Sequence, residues 1–296
     1  MHTFARLMQA YADRYQLNDQ EGSSKTPVPG VHFYRASRSN GRQPLLYQSG
    51  IIFMGQGHKK IYLGNQKHCY GAGDYLVLGV PLPLECQAMT ENEKPLLGMT
   101  VDVDPQVLNA LVNQLPATLS QSAAERNNLD AGLTSQQMPG EMMDACIRLF
   151  TVLQNETEAK ILGPSIVKES IYRILISDHG HILFDLARHD GHYARVARIL
   201  TKLHQSYADN ITVESLADEA HMSVSAFHRA FRQVTLETPL QYLKKVRLGK
   251  AKDMILFEGK RVNEVANLVG YSSPSQFSRE FKRHFNATPK DLAQTP

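Results

Sequence analysis

SVSAFHRAFRQVTLETP (residues 223–239) and SPSQFSREFKRHFNATP (residues 273–289) are two copies of one stretch, fifty residues apart. Serine, phenylalanine, arginine, threonine and proline recur at the same places in both copies. A short amphipathic segment and a tight turn precede each copy, ITVESLADEA (residues 211–220) in the first and RVNEVANLVG (residues 261–270) in the second. Two such units within about a hundred residues predict a tandem helix-turn-helix module, a pattern typical of proteins that contact DNA twice.

The second helix of each unit begins at a serine, Ser223 or Ser273, whose hydroxyl can accept a hydrogen bond from an unpaired amide of the first turn. In the second unit Pro274 follows at the first helical position and Gln276 stands three residues after the serine. Ser273 and Gln276 therefore form a capping-box pattern, which marks the start of this helix more clearly than any other boundary in the chain.

Helical periodicity divides each of these helices into an apolar face and a polar face. The apolar faces, predicted to be core, are Val224, Phe227, Ala230, Phe231 and Val234 in the first copy and Phe277, Phe281 and Phe285 in the second. The polar faces, predicted to lie in the major groove of DNA, are Ser225, His228, Arg229 and Arg232 in the first and Ser275, Ser278, Arg279 and Lys282 in the second.

An arginine in a major groove can make two hydrogen bonds to one guanine. A polar helix face is also what solvent exposure alone produces, so a single arginine would not separate the two interpretations. Repetition of the serine and arginine in register with the phenylalanine pair favours contact with nucleic acid. Gln276 fits a cap or a base contact equally well, and His228 can also be a neutral exposed imidazole. We expect Arg232, Lys244, Lys245, Lys282 and Arg283 to contact phosphates.

PLQYLKKVRLGKAKDMILFEG (residues 239–259) joins the two copies, with proline at its start and glycine at its end. The spacing of its apolar residues predicts one helix of about 25 Å, long enough to hold two recognition helices near successive major-groove segments roughly 34 Å apart. Such a rigid connection implies that both helices bind together or that the DNA bends.

GYSSPSQFSREFKRHFNATP (residues 270–289) and the helix before it resemble the C-terminal half of the AraC/XylS family of bacterial transcription regulators. The resemblance covers residues 194–292 and includes the Gly270-Tyr271 turn, the threonine-proline pair after each recognition helix, and Tyr242 and Arg247 on the connecting helix. It implies double-stranded DNA and RNA polymerase as partners, a homodimer, and base contacts from Ser225, His228, Arg229, Ser275, Ser278 and Arg279. The chain departs from the family at Leu236 and Asn286, where a glycine is usual. Because leucine does not readily adopt a left-handed conformation, we expect the exit from the first recognition helix to differ.

Charge is divided unevenly along the 296 residues, which carry a net charge of +3. Residues 190–296 hold 16 Lys and Arg against 11 Asp and Glu, whereas residues 1–189 hold 16 against 18. The basic part is the part with the predicted recognition helices. We therefore predict two domains, residues 1–189 and residues 190–296. The resemblance implies that the second is an AraC-type DNA-binding domain and that the first is a cupin-like effector-sensing and dimerisation domain.

Short β-rich runs separated by Gly, Asn and Pro fill residues 31–103: VHFYRAS, LLYQSGIIFMG, HKKIYLG, YLVLGV and PLLGMTVDV. They predict an antiparallel β-barrel or jelly roll, and hence an α+β chain with an all-α C-terminal domain. The stretch GAGDYLVLGVPLPLECQA (residues 71–88) resembles cupin-like sensor domains. The order GII, GHK, DYL, VPLP and EC resembles the YqhC-like branch of the AraC family, which includes an aldehyde-responsive regulator.

A catalytic cupin needs a metal, usually held by a His-x-His pair, a nearby Glu and a later His. This segment offers only His58 and His68, ten residues apart. We therefore predict no metal, no cofactor and no catalysis, and expect the barrel to surround a small molecule or to be filled by its own side chains.

Three helices are predicted after the barrel, at residues 105–115, 139–155 and 158–178, with a loop at residues 132–140. The last two are apolar on more than one side, with Met142, Ile147, Leu149, Phe150 and Leu153 on one and Ile166, Ile171, Leu175 and Ile176 on the other. These faces pack on the barrel, and the resemblance implies that they also form a dimer interface.

The three cysteines, Cys69, Cys86 and Cys146, are an odd number at unrelated spacings, which favours reduced thiols in a cytoplasm over disulfides or a zinc site. Neither a signal peptide nor a membrane-spanning run is predicted. Burial as a small apolar side chain is the usual state of a cysteine such as Cys86, and the resemblance adds the alternative that it senses an electrophile.

Together these features predict a cytoplasmic, sequence-specific DNA-binding regulator, an activator, whose N-terminal domain responds to a small effector such as an aldehyde or another electrophile. The helix at residues 192–207 is predicted to carry the response between the domains. The alternative is a constitutive repressor or architectural protein in which the barrel is only a dimer scaffold.

Overall fold

A computed structural model describes residues 2–63, 66–91, 93–116, 133–178, 180–187 and 191–293. The strands in these residues are β1 (Gly22–Lys25), β2 (Val31–Ala36), β3 (Gln43–Tyr47), β4 (Gly50–Gln56), β5 (His58–Leu63), β6 (Gln66–Gly71), β7 (Asp74–Leu78), β8 (Leu82–Met89), β9 (Leu96–Val101) and β10 (Leu133–Gln137). The helices are α1 (His2–Arg14), α2 (Pro105–Val112), α3 (Gly140–Val152), α4 (Glu156–Leu175), α5 (His181–Ala187), α6 (His192–Gln205), α7 (Val213–Glu219), α8 (Val224–Thr235), α9 (Pro239–Leu256), α10 (Val262–Leu268), α11 (Pro274–Phe285) and α12 (Pro289–Ala293).

The described strands form two antiparallel sheets, ordered β1-β2-β9-β4-β7-β10 and β3-β8-β5-β6. The cupin-like α+β architecture predicted from the sequence is therefore confirmed, as two facing sheets rather than one closed barrel. Side chains alternate between the faces of each strand, so on β4 Ile51 and Phe53 pack with the helices while Ile52 and Met54 pack with the second sheet.

The first hydrophobic core lies between the larger sheet and helices α1 to α5. Its centre is aromatic, because Tyr11 of α1 makes edge-to-face contacts with Phe33 of β2 and Phe150 of α3, at centroid distances of 5.3 and 5.8 Å. Such pairs add about 0.5–1.5 kcal/mol each to the burial of apolar area. Helix α1, which was not predicted from the sequence, thus closes one side of this core.

Two local predictions in this domain are wrong. The run LLYQSGIIFMG is two strands, β3 and β4, separated by Gln48 and Ser49. The part of the predicted loop at residues 132–140 that the structure describes contains β10, which pairs with β7 from Leu133 opposite Leu78 to Gln137 opposite Asp74. A polar strand at the edge of a sheet is held by backbone hydrogen bonds to the neighbouring strand rather than by burial of its side chains. Its sequence therefore lacks the alternation of apolar residues that identifies interior strands.

The C-terminal domain consists of α6 to α12 and contains both predicted helix-turn-helix units, α7-α8 and α10-α11. Ser223 and Ser273 cap α8 and α11 by accepting hydrogen bonds from the amides of Ala226 and Gln276, at 3.3 and 3.2 Å. The connecting helix α9 has Thr238 as its cap and Pro239 at its first position. Both recognition helices therefore begin where the sequence predicts.

The two recognition helices also end alike. Leu236 and Asn286 both adopt the left-handed conformation, with φ of 57° and 56°. The expectation that the exit from the first helix differs is therefore wrong, because Leu236 takes the unfavourable conformation instead of changing the turn.

The turns inside the two units differ in length. Four residues, 220–223, separate α7 from α8, whereas five, 269–273, separate α10 from α11. His221 and Gly270 occupy equivalent left-handed positions, at φ of 52° and 82°. Gly270 is required there, because a Cβ would lie 2.4 Å from the carbonyl oxygen of Ala208.

A second hydrophobic core runs without interruption from the space between the sheets into the first helix-turn-helix unit, and a third, smaller core belongs to the second unit. Helix α9 packs on β3 and β8, and α11 packs on β3. The predicted interdomain helix is α6, and the predicted domain boundary at residues 189 and 190 lies outside the described residues. Among the described residues, no helix is long and apolar enough to cross a membrane.

Candidate functional site

The polar faces of α8 and α11 point away from the cores that hold these helices. In each helix the phenylalanine pair is fully buried, and both pairs, Phe227 with Phe231 and Phe277 with Phe281, have centroids 5.5 Å apart. Phe285 is only half-buried, and Val224, predicted to be core, is exposed because it stands at the first position of α8. The buried pairs fix the rotation of both helices about their axes and therefore determine which side chains face outward.

Nine of the ten side chains on α8 and α11 that are predicted to contact DNA are exposed: Ser225, His228, Arg229, Arg232, Ser275, Gln276, Arg279, Lys282 and Arg283. The tenth, Ser278, is half-buried. Within the described part of the chain, Arg229, Arg232 and Arg279 form no ion pair. Their guanidinium groups are therefore available to a ligand.

Gln276 is partly occupied within its own helix. Its amide nitrogen donates to the Glu280 carboxylate at 3.3 Å, and only its backbone amide takes part in the cap at Ser273. Glu280 also accepts from the hydroxyl of Tyr271 at 2.9 Å and pairs with Lys244 at 3.2 Å. The capping box is therefore half formed, and a base contact by Gln276 would require this hydrogen bond to break.

Lys244 and Lys245 differ from the other predicted phosphate contacts. Both are half-buried on α9, Lys244 paired with Glu280 and Lys245 with Glu237. Their charges are already balanced by carboxylates, which makes Arg232, Lys282 and Arg283 the better candidates for phosphate.

Arg247 holds the connecting helix to the α6-α7 connection and to the turn of the second unit. Its guanidinium donates to three backbone carbonyls, those of Tyr207, Asp209 and Gly270, at 2.7, 2.8 and 3.2 Å. Burial lowers the pKa of Arg247, while Tyr271 and Asp209 act in the opposite direction. Arginine suits this position because its planar group presents several donors in fixed directions.

A cavity of about 930 Å³ opens between the two sheets. Its walls carry apolar side chains such as Ile52 and Met54, and its rim carries Glu21 and Asp102. Phe257, which follows α9, also lines the cavity and is 82% exposed. One residue that lines this cavity thus comes from the helical C-terminal part of the chain.

The least exposed polar residue that lines the cavity is Lys59 on β5, which is only 4% exposed. Its ammonium nitrogen lies 3.5 Å from the ring centroid of Tyr34 and 5.8 Å from that of Tyr47. Burial lowers the pKa of Lys59 to about 8, although the neighbouring Cys86 acts in the opposite direction. Burial also raises the pKa of Tyr34 to about 12, so this phenol stays protonated near neutrality.

Cys86 lies beside this lysine on β8 and is 2% exposed. The hydroxyl of Tyr47, itself in the cavity wall, donates to the Cys86 sulfur at 3.2 Å and lies 3.4 Å from the hydroxyl of Tyr70. Cys69 is exposed on β6, and Cys146 is buried, which raises its pKa. A molecule in the cavity would therefore meet Tyr47 and Lys59 before Cys86.

Lys59 was not singled out from the sequence, although a signal was present. In HKKIYL the inward residues of β5 are Lys59, Ile61 and Leu63, whereas His58, Lys60 and Tyr62 face outward. Because Lys59 alternates in step with Ile61 and Leu63, its side chain must lie on the same inner face between the two sheets. The adjacent Lys60 nevertheless made the run resemble a strand exposed to solvent.

The two histidines weighed as metal ligands lie on opposite faces of their sheet. His58 faces outward with its Nδ1 2.7 Å from Glu91, whereas His68 shares the parity of the buried Tyr70. The described residues contain no cluster of three or more His, Cys, Asp or Glu side chains arranged to hold a metal.

Sequence comparison assigns both parts of the chain. Residues 27–182 match the profile of the AraC-type transcriptional regulator N-terminus, and residues 216–295 match that of a helix-turn-helix domain. The chain belongs to the AraC family of transcriptional regulators. The two matches together assign the two sheets and the tandem helices to one known architecture, that of AraC-type regulators. The matched profiles describe regulators rather than enzymes.

Individual relatives of this AraC-family chain match over a part of it. AlkR from Acinetobacter baylyi is 38% identical over 102 residues, 34% of this chain and 33% of the relative. The transcriptional activator RhaS from Escherichia coli is 33% identical over 101 residues, 34% of this chain and 36% of the relative. The chain thus matches about a third of the length of these curated relatives.

The fold of the whole chain is similar to that of ToxT from Vibrio cholerae. One ToxT structure, bound to (E)-4-(8-methylnaphthalen-1-yl)but-3-enoic acid, has a TM-score of 0.59 at 10% identity and covers 89% of this chain and 97% of that one. A second, bound to an unsaturated fatty acid, has a TM-score of 0.55 at 14% identity and covers 89% and 94%. At these identities the similarity concerns the fold alone, and membership of the YqhC-like branch stays a prediction.

Proposed function

We propose that this AraC-family protein is a sequence-specific DNA-binding regulator that inserts α8 and α11 into successive segments of the major groove. The observation that carries this proposal is the repeated arrangement of a buried phenylalanine pair beneath an exposed serine and arginine, on two helices joined by one rigid helix. Arg229 and Arg279 would each contact a guanine, and Ser225, His228, Ser275, Gln276 and Ser278 would contact neighbouring bases. Arg232, Lys282 and Arg283 would contact phosphates and fix the register.

A selection from random double-stranded oligonucleotides by the full chain tests this function. We expect enriched sequences with two conserved segments about one helical turn apart, protected together in a footprint. The double variant Arg229→Ala/Arg279→Ala should lose the enrichment while keeping a native melting curve. Enrichment of a single short segment, or none, would contradict binding by both helices.

The effector response belongs to the sensor cavity. Its size and largely apolar wall suit a small organic molecule, and ToxT, with a similar fold, has been solved with a fatty acid and with a naphthalenyl butenoic acid bound. An aldehyde or another electrophile is the class of effector proposed for this chain, with Cys86 as a sensor thiol reached through the cavity. The effector would act by binding more tightly to one arrangement of the two domains.

Activation is the proposed direction, in keeping with the activator RhaS among the relatives, and RNA polymerase is the proposed partner on DNA. A cytoplasmic location and a homodimer complete the proposal. Most of the apolar residues predicted for a dimer face on α3 and α4 are buried in the core, and of those predicted only Ile176 is exposed. Three further apolar side chains on α4, which were not predicted, are also exposed: Ile161, Leu162 and Tyr172. These four are the candidates for self-association.

A constitutive repressor or architectural protein remains the competing function. Melting curves of the full chain with small aldehydes, fatty acids, sugars and divalent metals distinguish the two, with Cys86→Ala measured in parallel. A rise in melting temperature with one class, together with a changed affinity for DNA, supports the regulator, and loss of the rise in Cys86→Ala assigns the thiol to the sensor. Unchanged DNA affinity with every ligand that raises the melting temperature would favour the scaffold.

A further inference from the structure

Lys59 is a buried amine in the wall of a cavity, without a carboxylate to balance it. No Asp or Glu of the described residues lies within ion-pair distance of its nitrogen, which instead lies 3.5 Å and 5.8 Å from the ring centroids of Tyr34 and Tyr47. Buried charges in proteins are normally paired, because an isolated ammonium loses its hydration on burial. An unpaired lysine at the base of a cavity is therefore maintained at a cost in stability.

The environment of Lys59 favours the neutral amine to an unusual degree. Burial lowers the pKa of Lys59 to about 8, so near neutral pH a much larger share of this amine is neutral than of an ordinary lysine. The neutral amine is the nucleophilic form, and desolvation in an apolar pocket is a recognised way of producing it.

The cavity leaves room beside this amine. Its volume of about 930 Å³ is far larger than one water molecule requires. Ile52, Met54 and the exposed ring of Phe257 can contact the apolar part of a bound molecule. The carboxylates nearby, Glu21 and Asp102, stand at the rim. They disfavour the entry of an anion but not of a neutral molecule.

We propose that Lys59 binds a carbonyl compound with an apolar body, an aldehyde or a ketone, as a reversible imine. This rests on the proposed function, in which the N-terminal domain takes up a small effector. The neutral amine of Lys59 attacks the carbonyl carbon, the carbonyl oxygen takes up a proton, and the nitrogen loses one to give a carbinolamine. The hydroxyl of the carbinolamine then takes up a second proton and leaves as water as the carbon–oxygen bond breaks, and the nitrogen loses its remaining proton, so that a carbon–nitrogen double bond remains. No oxidant or reductant is required, and water reverses the reaction.

The chemistry differs from capture by the neighbouring thiol. A saturated aldehyde adds to Cys86 only as a hemithioacetal, which mild hydride reagents do not convert into a stable product. An imine is converted by the same reagents into a stable secondary amine. Reduction therefore separates the two nucleophiles without changing either residue.

Hexanal with sodium cyanoborohydride at pH 7, applied to the full chain for a short time, tests the proposal. We expect one hexyl group per chain, and peptide mapping should locate it at Lys59 ahead of the exposed lysines. Lys59→Arg should lose this fast modification, whereas Lys60→Arg, the matched change of the adjacent outward lysine, should keep it. Lys59→Met replaces Lys59→Arg if the arginine variant does not fold. The peptide map of the wild-type chain by itself shows whether Lys59 is the modified residue.

Three results would overturn the imine at Lys59. One is modification of Lys59 no faster than that of the exposed lysines. Another is an unchanged fast phase in Lys59→Arg. The third is stabilisation by hexanoate that depends on Lys59 and occurs without trapping of hexanal, which would assign the amine to a carboxylate instead.

The affinity for DNA, measured on the trapped protein, separates this proposal from the proposed function. Trapping at Lys59 with unchanged DNA affinity would leave the imine in place and contradict the effector response. A DNA response to hexanal without trapping at Lys59 would support the effector response and contradict the imine.

Discussion

The hydroxyl of Tyr242 on α9 donates a hydrogen bond of 2.7 Å to the backbone carbonyl of Pro81, between β7 and β8. The same hydroxyl lies 2.7 Å from Nε2 of His204 on α6. A phenol has only one proton, and that of Tyr242 is donated to Pro81. The hydrogen between the two side chains is therefore carried on Nε2 of His204, which donates it to the Tyr242 oxygen. Three elements, the β7-β8 connection, α6 and α9, therefore meet at one fully buried oxygen.

Replacing Tyr242 with phenylalanine should destabilise the chain by about 1–3 kcal/mol, because the Pro81 carbonyl and the His204 nitrogen lose their partner. Urea unfolding at pH 7 measures the effect. Tyr62→Phe is the matched control, since its hydroxyl makes only a 3.5 Å contact with Gln87. Equal stability of the two variants would show that the Tyr242 hydroxyl contributes nothing across the domains.

Acidification should weaken the fold through His204. Burial, helped by Lys250, lowers its pKa to about 4 from an ordinary 6.5. Between pH 6.5 and pH 4 this histidine binds a proton in the unfolded chain but not in the folded chain. Its contribution to the free energy of unfolding is therefore complete above pH 6.5 and is lost as the pH falls towards 4. Free energies of unfolding at pH 7 and pH 5 check this.

His204→Gln provides the control for this pH dependence, because the glutamine amide can still donate and does not titrate. Its loss of stability between pH 7 and pH 5 should be smaller than that of the wild-type chain. Identical losses in both proteins would assign the acid sensitivity to other groups, among them His284, whose pKa burial also lowers to about 4.

Leu236→Gly should stabilise the protein, since leucine at φ of 57° carries a conformational penalty of about 1 kcal/mol that glycine does not. The side chain is exposed, so little packing is lost. Differential scanning calorimetry should show a rise of a few degrees in melting temperature, roughly as expected for such an increment. Asn286→Gly should raise it less, because asparagine tolerates this conformation, and the reverse order would contradict strain at Leu236.

Arg279→Ala and Lys282→Ala should affect DNA binding differently, although the two residues lie one turn apart on α11. Loss of a base contact at Arg279 should cost about 1–3 kcal/mol and relax the preference at one base pair. Loss of a phosphate contact at Lys282 should weaken all sequences alike and reduce the salt dependence by about one unit. Gel shifts on the selected sequence and its point variants, at several salt concentrations, measure both. Unchanged affinity and base preference in Arg279→Ala would contradict the insertion of α11 into the major groove.

The sequence predicts the C-terminal domain better than the sensor domain, for a physical reason. Helices α8 and α11 are local structures, specified by Ser223, Ser273 and their apolar spacing, so a single stretch contains the information. Strand β10 and helix α1 are defined by what they pack against, which is distant in sequence: β7 for β10, and Phe33 and Phe150 for Tyr11 of α1. Lys59 belongs to the same class, because the cavity around it is assembled from strands β1, β2, β3, β4, β5 and β9.

The two helix-turn-helix units share a plan, but the extra residue between α10 and α11 makes them unequal. Their recognition faces differ too, since His228 in the first unit corresponds to Ser278 in the second. A DNA segment read by both units would consequently have a head and a tail. Turning such a segment around would exchange the bases offered to each helix, so one protein chain would distinguish upstream from downstream without needing a second copy.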